Sequence, residues 1–118
     1  MCSSDLLVVW QKSMELVKAV YELVRLLPKS ELFCLSDQMR RSSVSIPSNI
    51  AEGQGRHSAK EFARFLLIAL GSQAELETQL EICIMLNYLT KDQINHVVEL
   101  CAVVGKMLKN LYRSITNN

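Results

Sequence analysis

Residues 40–58 read RRSSVSIPSNIAEGQGRHS, and this stretch decides how the chain is organised. Hydrophobic residues spaced three and four apart run through it from Met39 to Ile50, which indicates a helix despite Pro47. We expect one helix that is kinked at Pro47, with two short helices meeting at Ile46 and Pro47 as the alternative. Several serines keep this helix narrow, which favours the close approach of a neighbouring helix.

The residues after this helix predict a turn and a new helix start. Gly53 and Gly55 tolerate positive φ, so the helix is expected to end there. Ser58 and Glu61 have the spacing of a capping box, in which each side chain accepts a hydrogen bond from the other residue's backbone N–H. A second box, with Thr90 as its cap, precedes the last periodic segment, and Ser36 is the expected cap of the proline-containing helix.

The spacing of apolar residues along the rest of the chain predicts an all-α protein. The first helix carries one apolar stripe through Trp10, Met14 and Tyr21, and a second stripe beside it through Leu16 and Val20. Short connections between long helices imply an up-down-up-down antiparallel four-helix bundle, which forms a single domain over residues 1–118. The expected helices cover about residues 5–27, 36–53, 58–88 and 90–115.

Composition and charge exclude several classes of function. The chain has 118 residues, 49% of them hydrophobic and 21% charged, which is typical of a globular domain. A formal net charge of +1 provides no global basic field, so any attraction for nucleic acid must come from a local patch or from several copies of the chain. No apolar run is long enough to span a bilayer, and residues 6–10 do not resemble a signal peptide.

The four cysteines are Cys2, Cys34, Cys83 and Cys101. They are widely spaced and form no CxxC pair, so we interpret them as free and mostly buried thiols. Free thiols are typical of a reducing compartment, and we therefore expect a cytoplasmic protein.

No arrangement of residues predicts catalysis. His57 and His96 have no second ligand at metal-binding spacing, and Cys83 and Cys101 lie on core stripes where a buried, inert thiol is expected. The Gly53-Gln54-Gly55 sequence follows no strand and lacks the lysine of a phosphate-binding loop. We expect no metal, no cofactor and no enzymatic activity.

The first half of the third expected helix is apolar nearly all the way round. A helix in a small bundle buries one broad face, so the surplus predicts a subunit interface formed by Phe65, Leu67, Ile68 and Gly71. Gly71 in mid-helix also suggests a close backbone contact. The alternative is that the connection at Leu32 and Phe33, or the N-terminal residues, cover this surface within one chain.

The basic residues are the remaining functional candidates. Arg56, His57, Lys60 and Arg64 lie at the positive N-terminal end of the third helix, an arrangement that suits a phosphate or another anion. Nucleic-acid contact and a purely structural role both stay open for these residues. Arg40 and Arg41 should lie level with about residues 71–77, and for them ion pairs with Glu75 or Glu77 are favoured over nucleic-acid contact.

Four segments of the chain together resemble a known family. They are residues 9–12, 37–53, 61–66 and 69–80, which read VWQK, DQMRRSSVSIPSNIAEG, EFARFL and ALGSQAELETQL. The chain resembles the bacterial four-helix bundle family encoded in intervening sequences of large-subunit ribosomal RNA, also labelled S23 ribosomal protein. The resemblance implies a homopentamer of four-helix bundles. It also implies a distant relationship to the accessory protein of diversity-generating retroelements, which binds nucleic acid and a reverse transcriptase.

Two functional hypotheses follow from the sequence. The first is a non-enzymatic oligomer whose basic turn contacts RNA or DNA phosphates without reading sequence. The second is a protein-interaction scaffold with no nucleic-acid role, in which the arginines are structural.

Overall fold

The computed structural model describes residues 3–117, and the side chains of residues 5–117, as four α-helices without a strand. They are α1 (Ser3–Val24), α2 (Leu35–Gln54), α3 (Ala59–Met85) and α4 (Lys91–Thr116), with a short 3-10 turn at Lys29–Glu31. Each helix packs against its two neighbours in a ring, α1 on α2, α2 on α3, α3 on α4 and α4 on α1. The predicted all-α antiparallel four-helix bundle is confirmed, and the helix ends differ from those predicted by at most three residues.

The core draws leucine and isoleucine side chains from all four helices. Fully buried examples are Leu16 from α1, Ile46 from α2, Leu76 from α3 and Leu108 from α4. Burying such a side chain contributes about 1.5–3 kcal/mol, so this shared core is the main source of stability for helices that would be marginal alone.

Only one of the two apolar stripes of α1 faces this core. Leu16 and Val20 are fully buried, whereas the side chains of Trp10, Met14 and Tyr21 are 36%, 44% and 42% exposed. The reason is geometric, because two stripes that lie side by side on one helix cannot both face the bundle axis. The outer stripe of α1 therefore remains as apolar surface.

Helix α2 begins one residue earlier than expected and runs unbroken through Pro47. Ser36 is not its N-cap, because the helix starts at Leu35 and Ser36 is buried within the first turn. The Leu35 N–H donates instead to the Glu31 carboxylate, at 3.3 Å. Of the two alternatives for Pro47, the structure has the single helix.

A seam of polar hydrogen bonds joins α2 to α3. The Ser42 hydroxyl donates to Glu75 Oε1 at 3.0 Å and accepts from Gln79 Nε2 at 3.1 Å, and the hydroxyls of Ser45 and Ser72 are 2.7 Å apart. Ser42 and Gln79 are buried, so each of these bonds replaces a lost contact with water. The predicted narrow surface of α2 is therefore also a hydrogen-bonding surface.

Gly53 allows α2 and α3 to approach each other near this seam. A Cβ added to Gly53 would lie 2.7 Å from Phe65 Cβ and 2.9 Å from Phe62 Cδ1, which is too close for any other residue. The expectation that Gly53 and Gly55 end the helix through positive φ is wrong, because none of the four glycines, all within the described residues, has a positive φ. Gly53 is needed for packing, and Gly55 follows the helix with φ −78°.

The turn between α3 and α4 is tied to the first connection of the chain. Asn87 takes a positive φ of 60°, and the Tyr88 hydroxyl donates to Glu31 Oε2 at 2.8 Å. Thr90 and Gln93 form the predicted capping box, with both reciprocal hydrogen bonds in place. These contacts close the end of the bundle opposite to the basic turn.

Candidate nucleic-acid interface

Arg56 and His57 lie in the turn between α2 and α3, and Lys60 and Arg64 lie in the first turns of α3. We call these four residues the basic turn, and all four side chains are exposed. Gly55 donates its N–H to the carbonyls of Ala51 and Gly53 and so completes the end of α2. The chain then enters α3 at Ser58, which is in extended conformation. The structure therefore places the four predicted residues together at one end of the bundle.

The cap of α3 forms only half of the predicted capping box. The Ser58 hydroxyl accepts from the Glu61 N–H at 3.1 Å, as expected for an N-cap. The Glu61 carboxylate, however, accepts a hydrogen bond from Arg64 Nε at 3.1 Å, and the Ser58 N–H does not donate to it in the described structure. The charged arginine is the stronger donor of the two.

Phe65 supports the two arginines of the basic turn. The guanidinium carbons of Arg56 and Arg64 lie 5.0 and 4.6 Å from the centroid of the Phe65 ring. Each such cation–π contact is worth about 0.5–1 kcal/mol at an exposed site. The apolar pattern of α3 predicted Phe65 at a subunit interface and did not predict this contact with the arginines. The position of Phe65 directly after Arg64 was the available signal.

Both arginines also have carboxylate partners. Arg56 Nη2 lies 3.1 Å from Glu52 Oε2, and Arg64 pairs with Glu61 at the same distance. The hydrogen bond from Arg64, together with its positive charge, lowers the pKa of the Glu61 carboxyl. Lys60 and His57 have neither an ion pair nor a hydrogen bond from their side chains within residues 3–117.

The predicted partners of Arg40 and Arg41 are wrong. Arg41 Nε pairs with Asp37 at 2.8 Å, while Arg40 lies 3.8 Å from Asp37 and donates to the Leu32 carbonyl at 3.1 Å. Glu75 accepts a hydrogen bond from the Ser42 hydroxyl instead, and Glu77 forms no ion pair in the described part of the chain. Asp37 is three and four residues before the arginines on the same helix, so this pairing needs no contact with α3.

The four residues of the predicted subunit interface divide into two groups. Phe65 is 8% exposed and buried within its own chain, which corrects the expectation that it forms surplus surface. Leu67 and Ile68 are 50% and 41% exposed, and no described atom lies within 4 Å of a Cβ built at Gly71. The close backbone contact expected at Gly71 is therefore absent within the described chain, and Leu67 and Ile68 remain uncovered.

The connection that was the alternative cover for this surface does not shield it. Phe33 is 87% exposed and Leu32 is 46% exposed, so neither side chain is buried against another helix. Leu35 alone of this apolar segment enters the core.

The cysteines carry no reactive thiol in the core. Burial raises the pKa of Cys83 to about 11 and that of Cys101 to about 12, so both thiols stay protonated at neutral pH. Two of the three described cysteines are therefore buried, as expected, while Cys34 is exposed and Cys2 lies outside the described residues.

The described residues form neither a metal-binding cluster nor a membrane-spanning helix. Within residues 3–117, no group of three His, Cys, Asp or Glu side chains is placed to hold a metal ion. None of the four helices, as far as they are described, has the length and apolarity to cross a membrane.

Comparison with known proteins identifies relatives of the whole bundle. The family model described as 23S rRNA-intervening sequence protein matches residues 5–110. The bundle is also similar to the 1.70 Å crystal structure of a protein of unknown function from the S23 ribosomal protein family of Bacteroides thetaiotaomicron VPI-5482. The two chains are 30% identical with a TM-score of 0.85, over 92% of this chain and 98% of the other. None of the curated proteins matches the chain.

A match over nearly the whole bundle, in sequence and in structure, settles the family. The resemblance of the four quoted segments is confirmed, and the chain belongs to the 23S rRNA-intervening sequence protein family.

Proposed function

We propose that this protein is a non-enzymatic, oligomeric bundle that binds RNA or DNA without sequence preference through its basic turn. The observation that carries the proposal is the pair of exposed, unpaired basic residues, Lys60 and His57, beside two arginines that contact the Phe65 ring. The turn also lies at the N-terminal end of α3, where the helix dipole favours an anion.

The geometry of the turn favours contact with phosphates over contact with bases. Phe65 is buried beneath Arg56 and Arg64, so its ring offers no face on which a base could stack. Exposed cations on flexible side chains contact the backbone and carry no sequence information. The paired carboxylates Glu52 and Glu61 reduce the local charge, and binding through one turn alone is expected to be weak.

Binding of a labelled single-stranded RNA of about 20 nucleotides across a salt series tests this function. Neutralising two phosphate contacts with Arg56→Ala and Lys60→Ala should reduce the slope of log K against log salt by about 1.4. Arg25→Ala with Lys91→Ala is the matched control, because it removes one exposed arginine and one exposed lysine elsewhere on the bundle. Undetectable binding of the unmodified protein at low salt would refute the proposal.

The alternative function is a protein-interaction scaffold, and the exposed apolar surface of α1 and α3 favours it. The outer stripe of α1 includes Trp10 and Met14, and α3 presents Leu67 and Ile68. Apolar surface of this kind marks association with other chains. A scaffold without RNA binding would retain this surface and leave the arginines with their structural partners.

The oligomer itself, which the family resemblance implies to be a homopentamer, has a separate test. Light scattering at micromolar concentration should give five times the chain mass, and Ile68→Glu should shift the protein toward a monomer, since a buried charge is costly. Met85→Glu is the control, because Met85 is 69% exposed at the far end of the same helix. A stable monomer for the unmodified protein would contradict the proposal.

A further inference from the structure

A groove between α3 and α4 carries the largest set of unpaired cations outside the basic turn. It has a volume of about 390 Å³ and lies between Gln73 and Glu77 on α3 and a basic row on α4 formed by Lys106, Lys109 and Arg113. Ala102 and Gly105 line it without long side chains. We call this cavity and its continuation toward Lys60 the α3–α4 groove.

The cavity toward Lys60 has a volume of about 560 Å³ and lies between the same two helices, without a lining residue in common with the first. It includes Lys60 and Arg64 on α3 and Tyr112 on α4. Gln73 contacts Cys101 and Gly105, which sets the antiparallel register of the two helices. Lys60 precedes Gln73 by thirteen residues, or about 20 Å of helix, toward the end where α4 finishes.

The groove concentrates positive charge in a chain that is almost neutral. Five of its thirteen lysines and arginines line the two cavities, with Glu61 and Glu77 as the carboxylates. The groove therefore has a formal charge of +3 and the rest of the chain −2, since the whole chain is +1. The charge asymmetry can attract a polyanion that the net charge alone would not.

The basic row on α4 has no internal partners, unlike four of the five arginines elsewhere in the bundle. Within residues 3–117 no ion pair or hydrogen bond involves the side chains of Lys106, Lys109 or Arg113. The sequence explains why, because no aspartate or glutamate follows Glu99 and the row has no acidic residue at helical spacing. These cations need not break an existing pair to bind a ligand.

The spacing of the basic row fits a linear ligand better than a single phosphate. Lys106 and Arg113 are seven residues apart, which is about 10 Å along the helix, so the row can contact more than one phosphate of an extended strand. The three side chains project along a line and do not converge on one point. Positive charge in the last turn of a helix is favourable by itself, because it lies at the negative end of the helix dipole. The helix dipole does not account for Lys106, which lies more than two turns from the end of α4.

From this arrangement we propose that the α3–α4 groove binds the phosphate backbone of a nucleic-acid strand, with Lys106, Lys109 and Arg113 as phosphate contacts. The strand runs along the groove toward Lys60 and so joins the basic turn in one continuous surface. This inference rests on the proposed nucleic-acid function and assigns to it the basic row of α4, which the basic turn does not include.

The test uses the full chain, a fluorescein-labelled 20-nucleotide single-stranded RNA and a salt series. Replacing Lys106, Lys109 and Arg113 with alanine should weaken binding about 30-fold or more near 0.1 M salt and lower the salt slope by about 2. The matched control is Lys18→Ala, Arg25→Ala and Lys91→Ala, which removes the same charges from exposed positions outside the groove and should weaken binding less than about 3-fold. Circular dichroism should show that both variants are folded.

The outcomes separate this inference from the function on which it rests. If the unmodified protein binds and the groove variant binds equally well, the groove is refuted while the basic turn keeps its role. If the unmodified protein does not bind, both proposals fail. If poly-L-glutamate displaces the RNA as effectively as unlabelled RNA does at equal charge, the groove fits an acidic protein chain and the nucleic-acid assignment is overturned.

Discussion

Helix α3 packs against α2 on one side and α4 on the other, and the two junctions differ in what fills them. The α2–α3 junction is closed by small residues, with Gly53 against Phe65 and a hydrogen-bonded pair of serines, Ser45 and Ser72. The α3–α4 junction opens into a groove in which Lys106, Lys109 and Arg113 have no side-chain partner in the described structure. The first junction satisfies its polar groups internally except for Gln79 Oε1, whereas the second leaves the cations of the α4 row available to a ligand.

The same contrast separates the arginines of the chain. Arg40, Arg41, Arg56 and Arg64 each have a carboxylate partner three or four residues earlier in the chain. Arg113 has none in the described residues. An acidic residue three or four positions earlier therefore gives these four arginines a partner, which Arg113 lacks.

The largest expected loss of stability comes from adding a side chain to Gly53, where α2 and α3 are in close contact. Gly53→Ala places a Cβ against Phe65 Cβ, part of a rigid stem, and overpacking of this kind costs about 1–3 kcal/mol, offset by up to about 1 kcal/mol of better helix propensity. Urea unfolding should show a net loss. Gly71→Ala is the matched control and should gain about 1 kcal/mol, because the described chain leaves that position open. A loss at Gly71 would instead indicate a contact from a second copy.

Removing the hydroxyl at the centre of the polar seam should have the next largest effect. Ser42→Ala leaves the buried Gln79 amide without its hydrogen-bond acceptor, and Gln79 Oε1 already has no partner within the described structure. An unsatisfied buried group costs about 1–3 kcal/mol. Ser48→Ala, at an exposed position of the same helix, should be neutral or slightly stabilising. Equal unfolding free energies for the two variants would contradict this account of the seam.

Alkaline pH should lower the free energy of unfolding because of Cys101, which is buried between α3 and α4. Its pKa is raised from 9.0 to about 12 in the folded chain, so the neutral thiol is present in both states below pH 9 and only the unfolded thiol ionises between about pH 9 and 12. Stability is therefore lost as pH rises, by on the order of 1 kcal/mol at pH 10. The decrease measured between pH 8 and pH 10 should be smaller in Cys101→Ala. An identical decrease would show that other groups cause it.

The smallest effect is expected where an ion pair is fully exposed. Arg41 is 80% exposed at its side chain, and Arg41→Ala should change stability by less than about 0.5 kcal/mol. Arg40 is 23% exposed and also donates to the Leu32 carbonyl, so Arg40→Ala should cost more, about 1 kcal/mol. Thermal unfolding of the two variants checks the order, and a larger loss for Arg41 would reverse it.

Much of the fold could be predicted because it depends on local patterns. Three-four spacing located the four helices, and Ser58 and Thr90 marked helix starts because a hydroxyl at that position satisfies a free backbone N–H. Arg40 and Arg41 were predicted to lie level with about residues 71–77 of α3. Their neighbour Ser42 contacts Glu75 and Gln79, so the predicted position along α3 was nearly right. Register follows from helix length and turn length, which sequence contains.

The candidate site was harder to predict because it depends on the direction of side chains. Glu61 was expected to complete a capping box and binds Arg64, and Phe65 was expected at a surface and lies beneath two guanidinium groups. In each case two local interactions compete for one group. A difference of a few tenths of a kcal/mol decides between such alternatives, and periodicity does not resolve it.

By itself, the sequence determined the helices, their antiparallel order, the family and the placement of four basic residues in one turn. It did so because propensity, apolar spacing and capping act over a few residues. The tertiary structure alone decided that Gly53 is a packing residue, that Arg40 and Arg41 pair within α2, and that the basic row of α4 faces a groove beside α3. These features depend on which surfaces of separate helices meet, and close packing in three dimensions determines that.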